Sequence, residues 1–164
     1  MSIKAIFESM ALLVQQHKEL NTISAQKTEL IKQNQTKELS ALLKEESKHI
    51  RRMEQTEKKR QEATASYLHD KEETQSDGTV SVLLKHIPED YHDPLLKLQD
   101  ALFQEMTSLR KKEALNRTLV EDSLQFVQMT LDMIQPDPEA IHYTHPEADG
   151  TEKREGYSTF DSKA

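Results

Sequence analysis

The stretch LLKEESKHIRRMEQTEKKRQ, Leu42 to Gln61, decides the fold. It holds no glycine and no proline, and charged side chains occupy most of its positions. Such a composition favours helix. After Leu42 and Leu43 only Ile50 and Met53 are strongly apolar. A helix with so thin an apolar stripe must lean on a neighbour that carries the core.

The breakers show how far the helices extend. The glycines are Gly78, Gly150 and Gly156, and the prolines are Pro88, Pro94, Pro136, Pro138 and Pro146. Residues 1–77 contain neither type, and nor do residues 95–135. Aromatics are only 5% of the 164 residues, which disfavours a compact core of large rings. The pattern predicts an all-α fold: an elongated antiparallel bundle or coiled coil of three long helices with a disordered C-terminal tail. The helices are expected over about 2–32, 37–69 and 94–135, joined by a connection over 70–93. Residues 1–134 then form one helical domain, and 135–164 a flexible acidic tail.

The first helix presents Ile3, Ile6, Phe7, Met10, Leu13, Val14, His17 and Leu20 on one face. Gln33-Asn34-Gln35-Thr36 is the expected turn, with Asn34 left-handed and Thr36 as N-cap of the second helix. So short a connection makes the two helices antiparallel, with paired positions summing to about 70. The dense start of helix one then faces the thin end of helix two, and a further element must cover it. Val80 to Ile87 reads as a short helix or a strand-like patch. Asp93-Pro94 reads as N-cap and first residue of the third helix.

The third helix has Leu95, Leu98, Leu102, Met106, Leu109, Val120, Leu124, Val127, Leu131 and Ile134 on one face, expected to cover the hairpin. On the opposite side, in its C-terminal half, stand Leu115, Leu119, Phe126, Met129 and Met133. A helix packed on one hairpin buries one stripe. The second, methionine-rich stripe is a candidate site for a partner helix, weighed against packing on helix two or a dimer contact.

Charge narrows the function. The net charge is −7: residues 1–77 carry 13 basic and 13 acidic groups, residues 78–134 carry 6 and 9, and residues 135–164 carry 3 and 7. Nucleic acid is an unsuitable partner for such a chain. No cysteine is present, which removes disulfides and thiol chemistry. No window has the roughly 18 apolar residues of a membrane span, and the N-terminus lacks a signal-peptide core, so a cytoplasmic protein that is not membrane-embedded is expected. Glu-x-x-His occurs at Glu46/His49, Glu89/His92 and Glu139/His142, but only the first is convincingly helical, so no metal or other cofactor is expected. No phosphate loop or nucleophile–base setting appears, and the chain does not read as an enzyme. Arg51-Arg52 and Lys58-Lys59-Arg60 share a helix side, which reads as a solvated face with Glu54–Lys58 pairing, or else as a docking patch for an acidic partner.

The run HKELNTISAQKTELIKQNQTKELSALLKEESKHIRRMEQTEKKRQ, His17 to Gln61, resembles the first hairpin of the FlgN family of flagellar type III export chaperones. It carries a His-Lys-Glu-Leu segment, a Lys-x-x-Leu segment, a tight turn, Glu-Leu-x-x-Leu-Leu-x-x-Glu and a closing Glu57-x-x-Arg60. Asn116-Arg117, with Leu119 and Phe126, resembles the middle of that family's third helix, and the ending FDSKA is similar to bacillus-type members. The turn departs from the family's frequent Gly-Asp pair. The resemblance implies a chaperone that binds C-terminal amphipathic helices of the hook–filament junction (hook-associated) proteins. It would deliver them to the flagellar export gate and its ATPase complex without using ATP itself. Leu115, Leu119, Phe126, Met129 and Met133 are then the expected client-binding residues. A structural coiled-coil scaffold or dimeric linker is the alternative, and a di-metal oxidase a distant third.

Overall fold

The structure is a computed structural model and describes residues 3–71 and 78–134. Its elements are α1 (Ile3–Lys32), α2 (Thr36–His69), α3 (Val80–His86), a 3-10 turn (Glu89–Tyr91) and α4 (His92–Ile134). Among the described residues there is no strand. The chain divides into two compact units, Met1–Val127 and Gln128–Ala164. Of the second, the final turns of α4 are described. The expected tail, 135–164, lies outside the described residues, as does the third Glu-x-x-His pair.

The hairpin turn sits where the sequence places it. Asn34 is left-handed, with φ 55°. The N–H of Gln35 reaches the carbonyl of Leu30 at 3.0 Å, and that of Asn34 reaches Ile31 at 3.1 Å. These two bonds close α1 in a Schellman motif, for which asparagine is the usual substitute for glycine. The motif is tight enough that α2 begins at Thr36 itself. Thr36 is therefore not the N-cap: Gln35 holds that position and makes no side-chain cap. The start of α4 needs a similar correction. The 3-10 turn runs directly into His92, so Asp93 and Pro94 lie inside the first turn rather than at its cap.

α1 and α2 pack antiparallel. His49 donates its Nε2 proton to the carbonyl of Gln16 at 2.7 Å, and Lys27 reaches Glu46 at 2.7 Å. Between Thr56 and Thr64 the side chains that α2 buries are small: Thr56, Ala63 and Thr64. The dense start of α1 is covered from elsewhere. Ile6 and Met10 share one buried cluster with Ala63, Leu68, Leu83, Ile87 and Leu95. The cover expected from the third long helix alone is thus supplied jointly by α3 and the start of α4. Gly78 makes the approach possible: it adopts φ +59°, and a Cβ there would stand 3.1 Å from Cγ2 of Thr64. Tyr67 ties the cap down by donating to the carbonyl of His86 at 3.2 Å.

α4 runs parallel to α1, pairing Asn21 with Glu105, Ser24 with Glu113 and Thr28 with Asn116. Only the first part of its expected inward stripe is enclosed. Leu95 is buried, and Leu98, Leu102 and Leu109 are half-buried, but Val120, Leu124, Val127, Leu131 and Ile134 are exposed. The reason is register. With Thr28 opposite Asn116, α1 ends at Lys32 just as α4 reaches about residue 120, so Val120, Leu124 and Val127 meet only the hairpin tip, which leaves them exposed.

Candidate functional site

Two features of α4 define the site: a polar seam that fixes it, and apolar side chains it leaves open. The seam was not legible as apolar periodicity. Asn21 donates to the carbonyl and the carboxylate of Glu105, both at 2.9 Å, and accepts from Lys112 at 2.9 Å. Ser24 donates to Glu113 at 2.7 Å, and the Thr28 hydroxyl donates to Oδ1 of Asn116 at 2.6 Å. Asn116 returns a hydrogen bond to the carbonyl of Ser24 at 3.0 Å. Ser24, Thr28 and Asn116 are all buried, so these bonds form away from water, where leaving one unmade is costly. Asn116→Ala is expected to cost about 1–3 kcal/mol, seen as a lower midpoint in urea unfolding at unchanged slope.

Lys27 joins all three long helices. Its ammonium lies 2.7 Å from Glu46 on α2 and 2.9 Å from Glu113 on α4. Burial would lower its pKa, but hydrogen bonds and charge from the two carboxylates outweigh this and hold it above the ordinary lysine value. Glu113 moves the other way: burial raises it, yet the Ser24 hydroxyl and Lys27 hold it below the ordinary carboxylate value. A depressed folded pKa stabilises the fold above the unfolded value, near 4.5, and that contribution fades as pH falls through the folded value. The raised Lys27 contributes below its unfolded value, near 10.5, and loses this as pH rises through the folded one. Acid unfolding below about pH 4.5 should therefore be shallower in Glu113→Gln than in the parent, as far-UV circular dichroism against pH would show.

The closing Glu57-x-x-Arg60 motif forms a two-pronged ion pair, with Nε and Nη2 of Arg60 each 2.8 Å from one carboxylate oxygen. Arg60 is the leading cause that holds the Glu57 carboxyl below its ordinary value. The expected Glu54–Lys58 pairing is replaced by Lys58–Glu62 at 4.0 Å. Neither described Glu-x-x-His pair assembles ligands. Glu46 is engaged by Lys27 and His49 by Gln16, while His92 lies 3.2 Å from the carbonyl of Ile87. Among the described residues no three candidate metal ligands come together.

The expected client-binding residues are placed as follows. Within the first unit Leu115 is 48% exposed, Leu119 half-buried and Phe126 71% exposed. Within the second, Met129 is 53% and Met133 79% exposed. Within the first unit the spacing of Leu115, Leu119 and Phe126 is that of one helix face, and Asp122 stands on it between Leu119 and Phe126. Sequence reasoning missed two grooves. A shallow one of about 190 Å³ at the hairpin tip is lined by Leu30, Ile31, Leu39, Val120, Leu124 and Val127. A larger one of about 820 Å³ has Met10, Leu13 and Leu20 on α1 as its floor, Met53 on α2 as one wall and Leu102 and Met106 on α4 as the other. The thinness of α2 was the available signal for it: beyond Met53, α2 brings no large apolar side chain to the groove that could close onto α4.

Residues 1–149 match the FlgN protein family. The chain belongs to the FlgN family. It is also 34% identical, over the full length of both chains, to the uncharacterized protein YvyG of Bacillus subtilis (strain 168). No solved structure matches. Membership of FlgN points to a role in flagellar protein export as a chaperone. It also gives Glu57–Arg60 and Asn116, the residues on which the resemblance was drawn, a structural meaning: an anchored ion pair and a buried bond between helices. Among the described residues no helix is long and apolar enough to cross a membrane.

Proposed function

We propose that this FlgN-family chain is a cytoplasmic export chaperone. It holds the C-terminal amphipathic helices of hook–filament junction proteins against the exposed face of α4 and delivers them to the flagellar export gate. The observation that carries this reading is the exposure of Phe126 and Leu115, large apolar side chains on a helix whose other end is firmly packed. Leu115, Leu119 and Phe126 form the docking surface in the first unit, and Met129 and Met133 are the expected client contacts in the second. Burying a Leu or Phe side chain is worth roughly 1.5–3 kcal/mol. Against the cost of association, a few such contacts support affinity on the order of micromolar, suited to a carrier that must release its cargo. Asp122 lies mid-face, so a client helix must bring a cation or a donor opposite it, which sets register.

A second reading has its own observation. The 820 Å³ groove lined by Met53, Leu102 and Met106 is a second apolar surface, and a client helix seated there would leave Phe126 uninvolved. A scaffold that dimerises through α4 is the third. Titrating the full chain with the terminal helices of the junction proteins, with mass measured in solution, separates them. A monomer that forms a one-to-one complex supports the chaperone. A dimer that ignores both client helices contradicts it.

A further inference from the structure

The exposed face of α2 carries a feature that client binding on α4 does not use. Lys37, Lys44, Arg51 and Lys58 recur at intervals of seven residues, roughly 10.5 Å along the axis, and so form one row. Lys48, Arg52 and Lys59 flank it, and all seven side chains are exposed. Glu46 and Glu57 lie on the opposite side of the helix, engaged by Lys27 and Arg60. Glu38, Glu45 and Glu54 flank the row by the helical period. Only Glu62 falls within the row, 4.0 Å from Lys58. Lys37, Lys44, Lys48, Arg51, Arg52 and Lys59 have no ion pair among the described residues. A chain of net charge −7 thus presents a basic stripe roughly 30 Å long.

We propose that this stripe is a docking surface for an acidic helix of another protein, one that repeats carboxylates at heptad spacing. Three observations favour a helix over other anionic partners. The cations repeat at the period of a helix lying alongside α2, as in the charged flanks of a coiled coil. Leu43 and Ile50, partly exposed and themselves seven residues apart, stand on the shoulder of the row and offer such a helix apolar contacts. The stripe has no aromatic side chain to stack on bases or wedge into lipid, and the net negative charge of the chain opposes a phosphate-rich surface. The proposal does not depend on which surface takes the export client.

The test uses the full chain and an alanine-based helical peptide with glutamates aligned at heptad spacing, followed by fluorescence anisotropy at low salt. Controls are a peptide of the same composition with its glutamates spread around the helix, a short DNA duplex, and phosphatidylglycerol vesicles. The aligned peptide is expected to bind at least about fivefold more tightly than the spread one. Lys44→Glu/Arg51→Glu/Lys58→Glu should weaken it at least about tenfold, since three exposed attractions become repulsions. The same variant should bind a peptide with lysines in the aligned positions. Helicity should be unchanged, because all three positions face solvent. Equal binding of aligned and spread peptides, preference for DNA or vesicles, indifference to the triple substitution, or no binding to the aligned peptide would each overturn the proposal.

Discussion

Replacing Leu119 and Phe126 together by aspartate is expected to weaken binding of a junction-protein helix at least about 100-fold, or about 2.7 kcal/mol, with helicity and thermal midpoint nearly unchanged. The two effects separate because of exposure. Phe126 contributes little to the packing of the hairpin, since 71% of it already faces solvent, and Leu119 is only half-buried. In a complex both would be desolvated, and a carboxylate there would be buried without a partner, next to Asp122. Calorimetric titration checks the loss and circular dichroism the fold. If the groove between α2 and α4 were the site, this pair would leave affinity intact, while Leu102→Asp with Met106→Asp would remove it.

The largest expected loss of stability comes from Lys27→Met. Methionine fills the space of the lysine stem but leaves Glu46 and Glu113 facing one another without a cation. Breaking a fully buried ion pair costs about 3–5 kcal/mol. Glu46 is nearly enclosed here but the Glu113 side chain is 41% exposed, so solvent screens part of the effect. About 2–4 kcal/mol is the expected cost, or a fall in Tm of roughly 6–12 °C. The cycle with Glu113→Gln gives a sharper check. If Lys27 is the shared anchor, the double variant should lose clearly less than the two single losses combined. Additive losses would mean that the ammonium does not couple α1 to α4.

How much of this was legible in the sequence depended on the kind of contact. The absence of breakers and the apolar face from Ile3 to Leu20 located α1 and α2 to within a residue or two, and Asn34 located the turn, because local geometry and burial agree there. The seam between α1 and α4 was invisible to a search for apolar periodicity. Asn21, Ser24 and Thr28 recur on one helix face as an apolar stripe would, but hydrogen bonding replaces hydrophobicity, and their partners lie more than eighty residues away in sequence. The exposure of Val120, Leu124 and Val127 was also out of reach. Their pattern is that of a core stripe, and only the register of α4 on α1 shows that they meet no more than the hairpin tip, where Leu30, Ile31 and Leu39 cover them shallowly. The basic row on α2 was visible in part, through Arg51 and Lys58. That its cations other than Lys58 form no ion pair with the flanking glutamates needed the structure.

A photo-reactive amino acid placed in the full chain tests the docking surface most directly. Installed at position 126, at Met53 in the large groove, or at Leu12 on the outer side of α1, it reports which surface a bound junction-protein helix touches. Strong crosslinking from position 126 and little from Met53 or Leu12 is the expected result. Crosslinking from Met53 with none from position 126 would contradict it.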